Sequence, residues 1–180
     1  GLDSTFAFYD NLSMLGYLAR TETPGLIGKD SSYQAKFDYA ADRYGLQVDH
    51  LLVEDNFVPD VGFVRRDNFR RTFVEGRFSP RPQSIDRVRQ FTLTGSTDYI
   101  LVADTNILET RLNQFRFNTQ FETSDQFSFT VNDNYELLAQ PFSPAPSVTL
   151  PVGGYGFSDV EVGYSIGQQR RVNGRVSVER

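Results

Sequence analysis

Asp159-Val160-Glu161-Val162-Gly163-Tyr164-Ser165-Ile166 alternates without a break. Successive side chains of an extended chain point to opposite faces. Val160, Val162, Tyr164 and Ile166 therefore share one side, and Asp159, Glu161, Gly163 and Ser165 share the other. Gly167-Gln168-Gln169-Arg170 interrupts the run. Alternation then resumes, with Val172, Gly174, Val176 and Val178 opposite Arg171, Asn173, Arg175 and Ser177. Two alternating runs around a tight turn predict a β-hairpin with one apolar and one polar face.

The same pattern extends upstream. Phe115, Phe117 and Phe121 alternate with Gln114, Arg116, Asn118 and Gln120; after a turn at Ser124-Asp125, Phe127, Phe129 and Val131 alternate with polar residues. Tyr33, Ala35, Phe37, Tyr39 and Ala41 lead through Asp42-Arg43 into Leu46, Val48, His50 and Leu52. Phe6 and Phe8 open an earlier hairpin that turns at Asp10-Asn11 into Leu12, Met14, Gly16 and Leu18. Residues 69–78 alternate less cleanly, because Phe73 shares a face with Arg71 and Glu75. This reading predicts about ten strands and almost no helix.

Strand length and loop order separate two architectures. Strands are predicted over 12–20, 32–41, 88–103 and 108–123, well beyond the roughly 5–6 residues usual in soluble sheets and close to the roughly 9–11 that cross a bilayer. Connections 10–11, 42–44, 124–125 and 168–170 are tight and 79–86 is medium. Those between them, 21–31, 54–67 and 138–155, are long, with 104–107 the short exception. Short turns on one rim and long loops on the other characterise outer-membrane barrels, the short rim being periplasmic. The expected fold class is all-β, an antiparallel up-and-down transmembrane β-barrel. Tyr9, Tyr17, Tyr99, Tyr155 and Tyr164 are candidates for its interfaces. A soluble two-sheet β-sandwich binding module with one solvated face, secreted or periplasmic, is the alternative.

Composition narrows the function. The 180 residues hold 16 Phe and 9 Tyr, no Trp and no Cys, and carry a net charge of -5. So rich an aromatic content excludes a disordered chain. The absence of cysteine excludes disulfides and thiolate chemistry, and the acidic balance argues against nucleic acid as a partner. No apolar run is long enough for a membrane helix. Only Lys29 and Lys36 are lysines among the 18 Lys and Arg residues. That bias fits cations set against carboxylates and amides on a wet interior wall, and it equally fits base composition. The chain opens at Gly1-Leu2-Asp3-Ser4 and stops inside a predicted strand at Val176-Ser177-Val178-Glu179-Arg180. Residues 1–180 thus read as a single barrel segment cut from something longer.

The most distinctive stretch runs from Glu54 to Arg71. Asn56, Phe57, Asp60, Arg65, Arg66, Arg70 and Arg71 supply planar polar groups and a ring of the kind that sugars bind. The plainer reading is an ordered loop whose arginines pair with Glu54, Asp55, Asp60 and Asp67. Pro141-Phe142-Ser143-Pro144-Ala145-Pro146 and Pro151-Val152-Gly153-Gly154-Tyr155 form a stiff loop. His50 stands alone and reads as a strand residue, not a metal ligand. Asp159 and Glu161 have the chemistry of glycosidase carboxylates, but solvation or arginine pairing is their default on a polar face. No phosphate loop, nucleophile elbow or zinc signature occurs.

Thr23-Pro24-Gly25-Leu26, Asn56 through Arg66, Phe69-Arg70-Arg71, Phe78-Ser79-Pro80-Arg81-Pro82, Pro151-Val152-Gly153-Gly154-Tyr155 and Gly167-Gln168-Gln169-Arg170-Arg171 together resemble the C-terminal barrel region of the bacterial carbohydrate-binding family nine domain-containing proteins. The resemblance covers nearly the whole chain in family order. It implies an outer-membrane barrel preceded elsewhere by a sugar-binding-like sandwich. It implies no activity, so no catalytic residue carries over.

The expectation is a non-enzymatic pore, anchor or docking wall in the outer membrane, needing no cofactor or metal and serving glycan or polymer handling. Outer-membrane lipid, a glycan or small polar solute, further strands and the N-terminal sandwich domain are its expected partners. The candidate lumen residues are Arg111 or Arg116, Glu161, Arg171 and Arg175.

Overall fold

The computed structural model describes residues 1–59, 64 and 66–180. Among them the regular elements are all strands: β1 (Leu2–Phe8), β2 (Leu12–Arg20), β3 (Ser31–Ala40), β4 (Tyr44–Val53), β5 (Phe69–Phe78), β6 (Val88–Val102), β7 (Leu108–Phe121), β8 (Gln126–Leu138), β9 (Phe142–Ala145), β10 (Val148–Leu150), β11 (Gly153–Ile166) and β12 (Gly174–Glu179). The predicted strands and their length hold. β6, β7, β8 and β11 each run 13 to 15 residues. Two details differ. The connection 138–155 contains the short ribbon β9–β10, and β12 begins at Gly174, so Val172 lies in the turn. Pro144 is tolerated on β9 because both strands of the ribbon are edges, and Pro146 lies in the turn between them.

Ten strands form one antiparallel meander in the order β1-β2-β3-β4-β5-β6-β7-β8-β11-β12, and β9–β10 stands apart. The main sheet is open, with β1 and β12 as its edges. The expected all-β, antiparallel up-and-down arrangement is therefore present as a ten-stranded sheet, and no closure into a barrel is seen among the described residues. Substantial contact between elements runs only between hydrogen-bonded neighbours. No second layer packs on either face among the described residues, so the sandwich alternative lacks its second sheet.

Register assigns the faces. Phe8, Leu12, Tyr39, Leu46, Gly76, Gly95, Phe115, Val131 and Val160 form one row across nine strands. Rows parallel to it carry Phe6, Met14, Phe37, Val48 and Val74 on one side, and Phe78, Leu93, Phe117, Phe129 and Val162 on the other. This apolar face is bare. Phe6, Phe8, Leu18, Phe115 and Val162 are all exposed, and Val53 is the one buried hydrophobic side chain among the described residues. Covering a Phe, Leu or Val side chain is worth about 1.5–3 kcal/mol, so a sheet in this state lacks the usual source of stability.

Side chains at the short-turn rim tie adjacent turns together. The Asp125 carboxylate, on a residue only 4% exposed, accepts from the Gly167 N–H at 2.8 Å, the Tyr164 hydroxyl at 3.0 Å and Arg170 at 2.6 Å. It joins the 122–125 turn to the 167–173 turn. The Gly167 N–H contributes most to holding this carboxyl below the usual carboxylate range, aided by Thr123, Tyr164 and Arg170 against the effect of desolvation. Arg77 does the same for the β3–β4 turn, donating to the carbonyls of Ala41 at 2.5 Å and Asp42 at 3.1 Å. Its guanidinium lies across Gly45, where a Cβ would meet Nε at 3.0 Å.

Candidate functional site

The polar face carries a linked run of side chains and several separate pairs, set rung by rung by the register. Gln114 donates to Asn132 at 2.8 Å, Asn132 donates to Asp159 at 2.7 Å, and Asn134 donates to the other Asp159 oxygen at 3.1 Å. Arg116 donates to Gln114 at 2.6 Å, and Arg175 pairs with Glu161 at 3.0 Å. Further round the sheet, Arg71 forks onto Asp98 at 2.6 to 3.1 Å, and Gln34 donates to Asp49 at 2.8 Å. Short side chains here are buried beneath longer ones, Thr94 and Thr130 at 8% exposure and Ser32 at 1%.

Three expected lumen residues meet on this face. Arg116, Glu161 and Arg175, with Gln114, Asn132 and Ser128, line a groove of about 360 Å³. Arg116 is bonded to a neutral amide, so its charge is not cancelled locally. The groove offers two guanidinium groups and several amides, a set suited to neutral hydroxylated or anionic solutes. Asp159 is occupied by two amides and Glu161 by Arg175, which makes both carboxylates acceptors within the wall. Among the described residues no group of His, Asp and Glu is placed to hold a metal ion.

Other candidates lie elsewhere. Arg111 pairs with Asp133 at 3.0 Å and falls on the opposite face, because Arg111, Tyr135 and Gly156 share a row with Ala35 and His50. Arg116, not Arg111, is therefore the wall residue. Arg171 is exposed in the 167–173 connection. Asn56 ties two loops together through its side chain on the Gly28 carbonyl at 2.8 Å and its N–H on Lys29. The Phe57 N–H closes a turn on Glu54. Arg66 pairs with Glu109 and lies over the Phe69 ring, and Arg70 donates to Asn106 at 2.5 Å. These arginines find partners on β6, β7 and the loop between them, whereas the sequence set them against Glu54, Asp55, Asp60 and Asp67, of which Asp60 lies outside the described residues. Asp60 and Arg65 lie outside the described residues. Tyr17 and Tyr155 point to the polar face, where they bond Ser32 and the Pro151 carbonyl. Tyr33, Tyr39, Tyr44 and Tyr135 take their places on the apolar face.

Gln114, Asn132 and Asn134 are the site residues that sequence reasoning passed over. Each is an ordinary polar member of an alternating strand, and only register brings them together. Neither family models, curated proteins nor solved structures match this chain. Geometry alone carries the functional argument.

Proposed function

We propose that this sheet is the wall of an outer-membrane β-barrel acting as a passive pore, anchor or docking wall, with the apolar face toward lipid and the polar face toward a wet lumen. The observation that carries this reading is the slant of the apolar belt across the register. The row beginning at Phe8 is the lower edge of the belt on β1, next to the 9–11 turn. On β11 the same row, now at Val160, is the upper edge, because the next position on that face is Ser158. The neighbouring row changes from Phe6, Met14, Phe37, Val48 and Val74 to Thr97, Asn113, Asp133 and Ser158. A belt about six residues tall is thus crossed in eight strand steps. With roughly 3.3 Å per residue and 4.8 Å between strands, the strands tilt roughly 25–30° from the belt's normal. Strands in a membrane barrel tilt about 35–45° for the same geometric reason.

Aromatic residues follow the slanted short-turn edge, traced by Tyr39, Tyr44, Phe78, Phe91 and Tyr164, and stand beyond the belt on the long-loop side, where Tyr99 and Tyr135 share one row and Tyr33 lies one row further out. Paired girdles of this kind mark the two membrane interfaces. With the short turns periplasmic, the groove of Arg116, Glu161 and Arg175 lies inside the wall, where it would hold or pass small polar or anionic solutes, a glycan segment among them. Closure requires that the β1 and β12 edges pair, with each other or with further strands, since unpaired backbone is not tolerated in lipid.

Reconstitution into phosphatidylcholine vesicles tests the reading. Polarised infrared spectra are expected to give a strand tilt of roughly 25–30°, the value the register implies, and the band on an unheated gel is expected to migrate differently from the heated one. A chain that stays folded and monomeric in buffer without detergent would end the proposal.

A further inference from the structure

The polar wall is broken by an apolar cavity at its long-loop end. Three successive same-face rungs of β8 and β11 are Leu138 opposite Gly153, Glu136 opposite Tyr155, and Asn134 opposite Phe157. Above them sits the β9–β10 ribbon, in which Phe142 pairs with Leu150. These two side chains, with Glu136, Leu138, Tyr155 and Phe157, line a half-open hollow of about 390 Å³. That is the lower part of the range for small-molecule sites. The ribbon is braced by a Ser143–Thr149 hydroxyl contact of 3.0 Å, and the Tyr155 ring by its hydroxyl on the Pro151 carbonyl at 2.7 Å. Phe142 and Phe157 remain 53% and 54% exposed, although the neighbouring wall positions Asn132, Asn134 and Asp159 are polar and bonded to one another. Phe157 stands among these amides and Phe142 on the ribbon next to them, and packing does not account for two half-exposed phenyl rings here.

We infer that this cavity binds an organic ammonium ion, a quaternary ammonium group with a small apolar body. Phe142, Tyr155 and Phe157 line it with three aromatic side chains, and an aromatic lining attracts a weakly hydrated cation better than a neutral group of the same shape. Glu136 is the single charged residue of the lining. It adds a carboxylate next to the rings, and no cation in the lining competes with the ligand. An anion would meet that carboxylate without a donor to offset it. The site is separate from the Arg116–Arg175 groove and opposite to it in charge preference. It does not depend on the lipid-facing assignment.

Choline and its neutral carbon isostere 3,3-dimethylbutan-1-ol provide the test. Their binding to the whole chain in dodecyl maltoside micelles is measured by saturation-transfer NMR and calorimetry. Choline is expected to bind at least tenfold more tightly than the alcohol. Glu136→Gln is expected to weaken choline by about threefold to tenfold and leave the alcohol unchanged. Phe157→Ala and, separately, Phe142→Ala should weaken both ligands. Each of these side chains is half-exposed, and a retained gel shift on heating confirms folding of each variant. Equal affinity for choline and the alcohol, choline binding that Glu136→Gln does not alter, or no binding of choline at millimolar concentration would each overturn the inference.

Discussion

At the scale of single residues, the most consequential group is the Asp125 carboxylate. It lies in a turn, is almost fully buried and accepts three hydrogen bonds from the next hairpin. Its pKa is lowered in the folded chain, chiefly by the Gly167 N–H. The stabilisation it gives is therefore complete above the unfolded value of about 3.9, and it disappears as pH falls through the lower folded value. Asp125→Asn keeps an acceptor for the Gly167 N–H but loses the ion pair with Arg170. Thermal unfolding in micelles is expected to show a lower Tm for Asp125→Asn at pH 7 and pH 5. The gap from wild type should narrow below about pH 4. A gap that widens on acidification would contradict the assignment. Asp42 forms a similar, exposed pair with Arg81, which lowers its carboxyl as well, and its removal should matter much less because exposed pairs contribute little.

At the scale of the element, the belt's slant makes a prediction that composition cannot. Val48 on β4 and Ser158 on β11 belong to one register row. If the apolar face meets lipid at a tilt, Val48 lies within the belt and Ser158 above it. Val48→Arg should then cost about 2–4 kcal/mol, and Ser158→Arg about 0–1 kcal/mol. Urea titration of both variants folded in vesicles measures the difference. Equal costs would show that the row is parallel to the slab, and the tilt argument would fail. His50 supplies a natural control. It sits one row above Val48, bonded to Thr72 at 2.8 Å and set against the Tyr33 ring at 5.9 Å, with Tyr33 and Leu52 in the row beyond it.

At the scale of the whole molecule, the sheet is unfinished as a soluble object, having one layer, two open edges and a bare apolar face. Hydrogen exchange should grade accordingly. In detergent the amides of β6, β7 and β8 are expected to exchange slowest, and those of β1 and β12 fastest, because edge strands open locally at little cost. In bilayers Leu2–Phe8 and Gly174–Glu179 should gain protection comparable to that of β7, since lipid leaves no water to satisfy a free edge. Fast exchange of both edges in lipid would place them outside the membrane and contradict the wall.

The period-two pattern was enough to predict the all-β class, most of the strand boundaries and the sorting of short turns from long loops. Each of these depends on neighbours within one strand or one hairpin, as in Asp159–Ile166. The pattern separates Arg111 from Arg116, which lie five residues apart on β7 and so on opposite faces, but it could not tell which strands bring partners to either. Nor could it find the network from Gln114 through Asn132 to Asp159, whose members come from three strands and meet only through the ladder. The cavity beneath β9–β10 was equally hidden, because a proline-rich loop and an alternating strand become a pocket only when the ribbon folds over the wall. Alternation is a local consequence of backbone geometry. The company a side chain keeps across strands is set by register, and register is a property of the folded sheet.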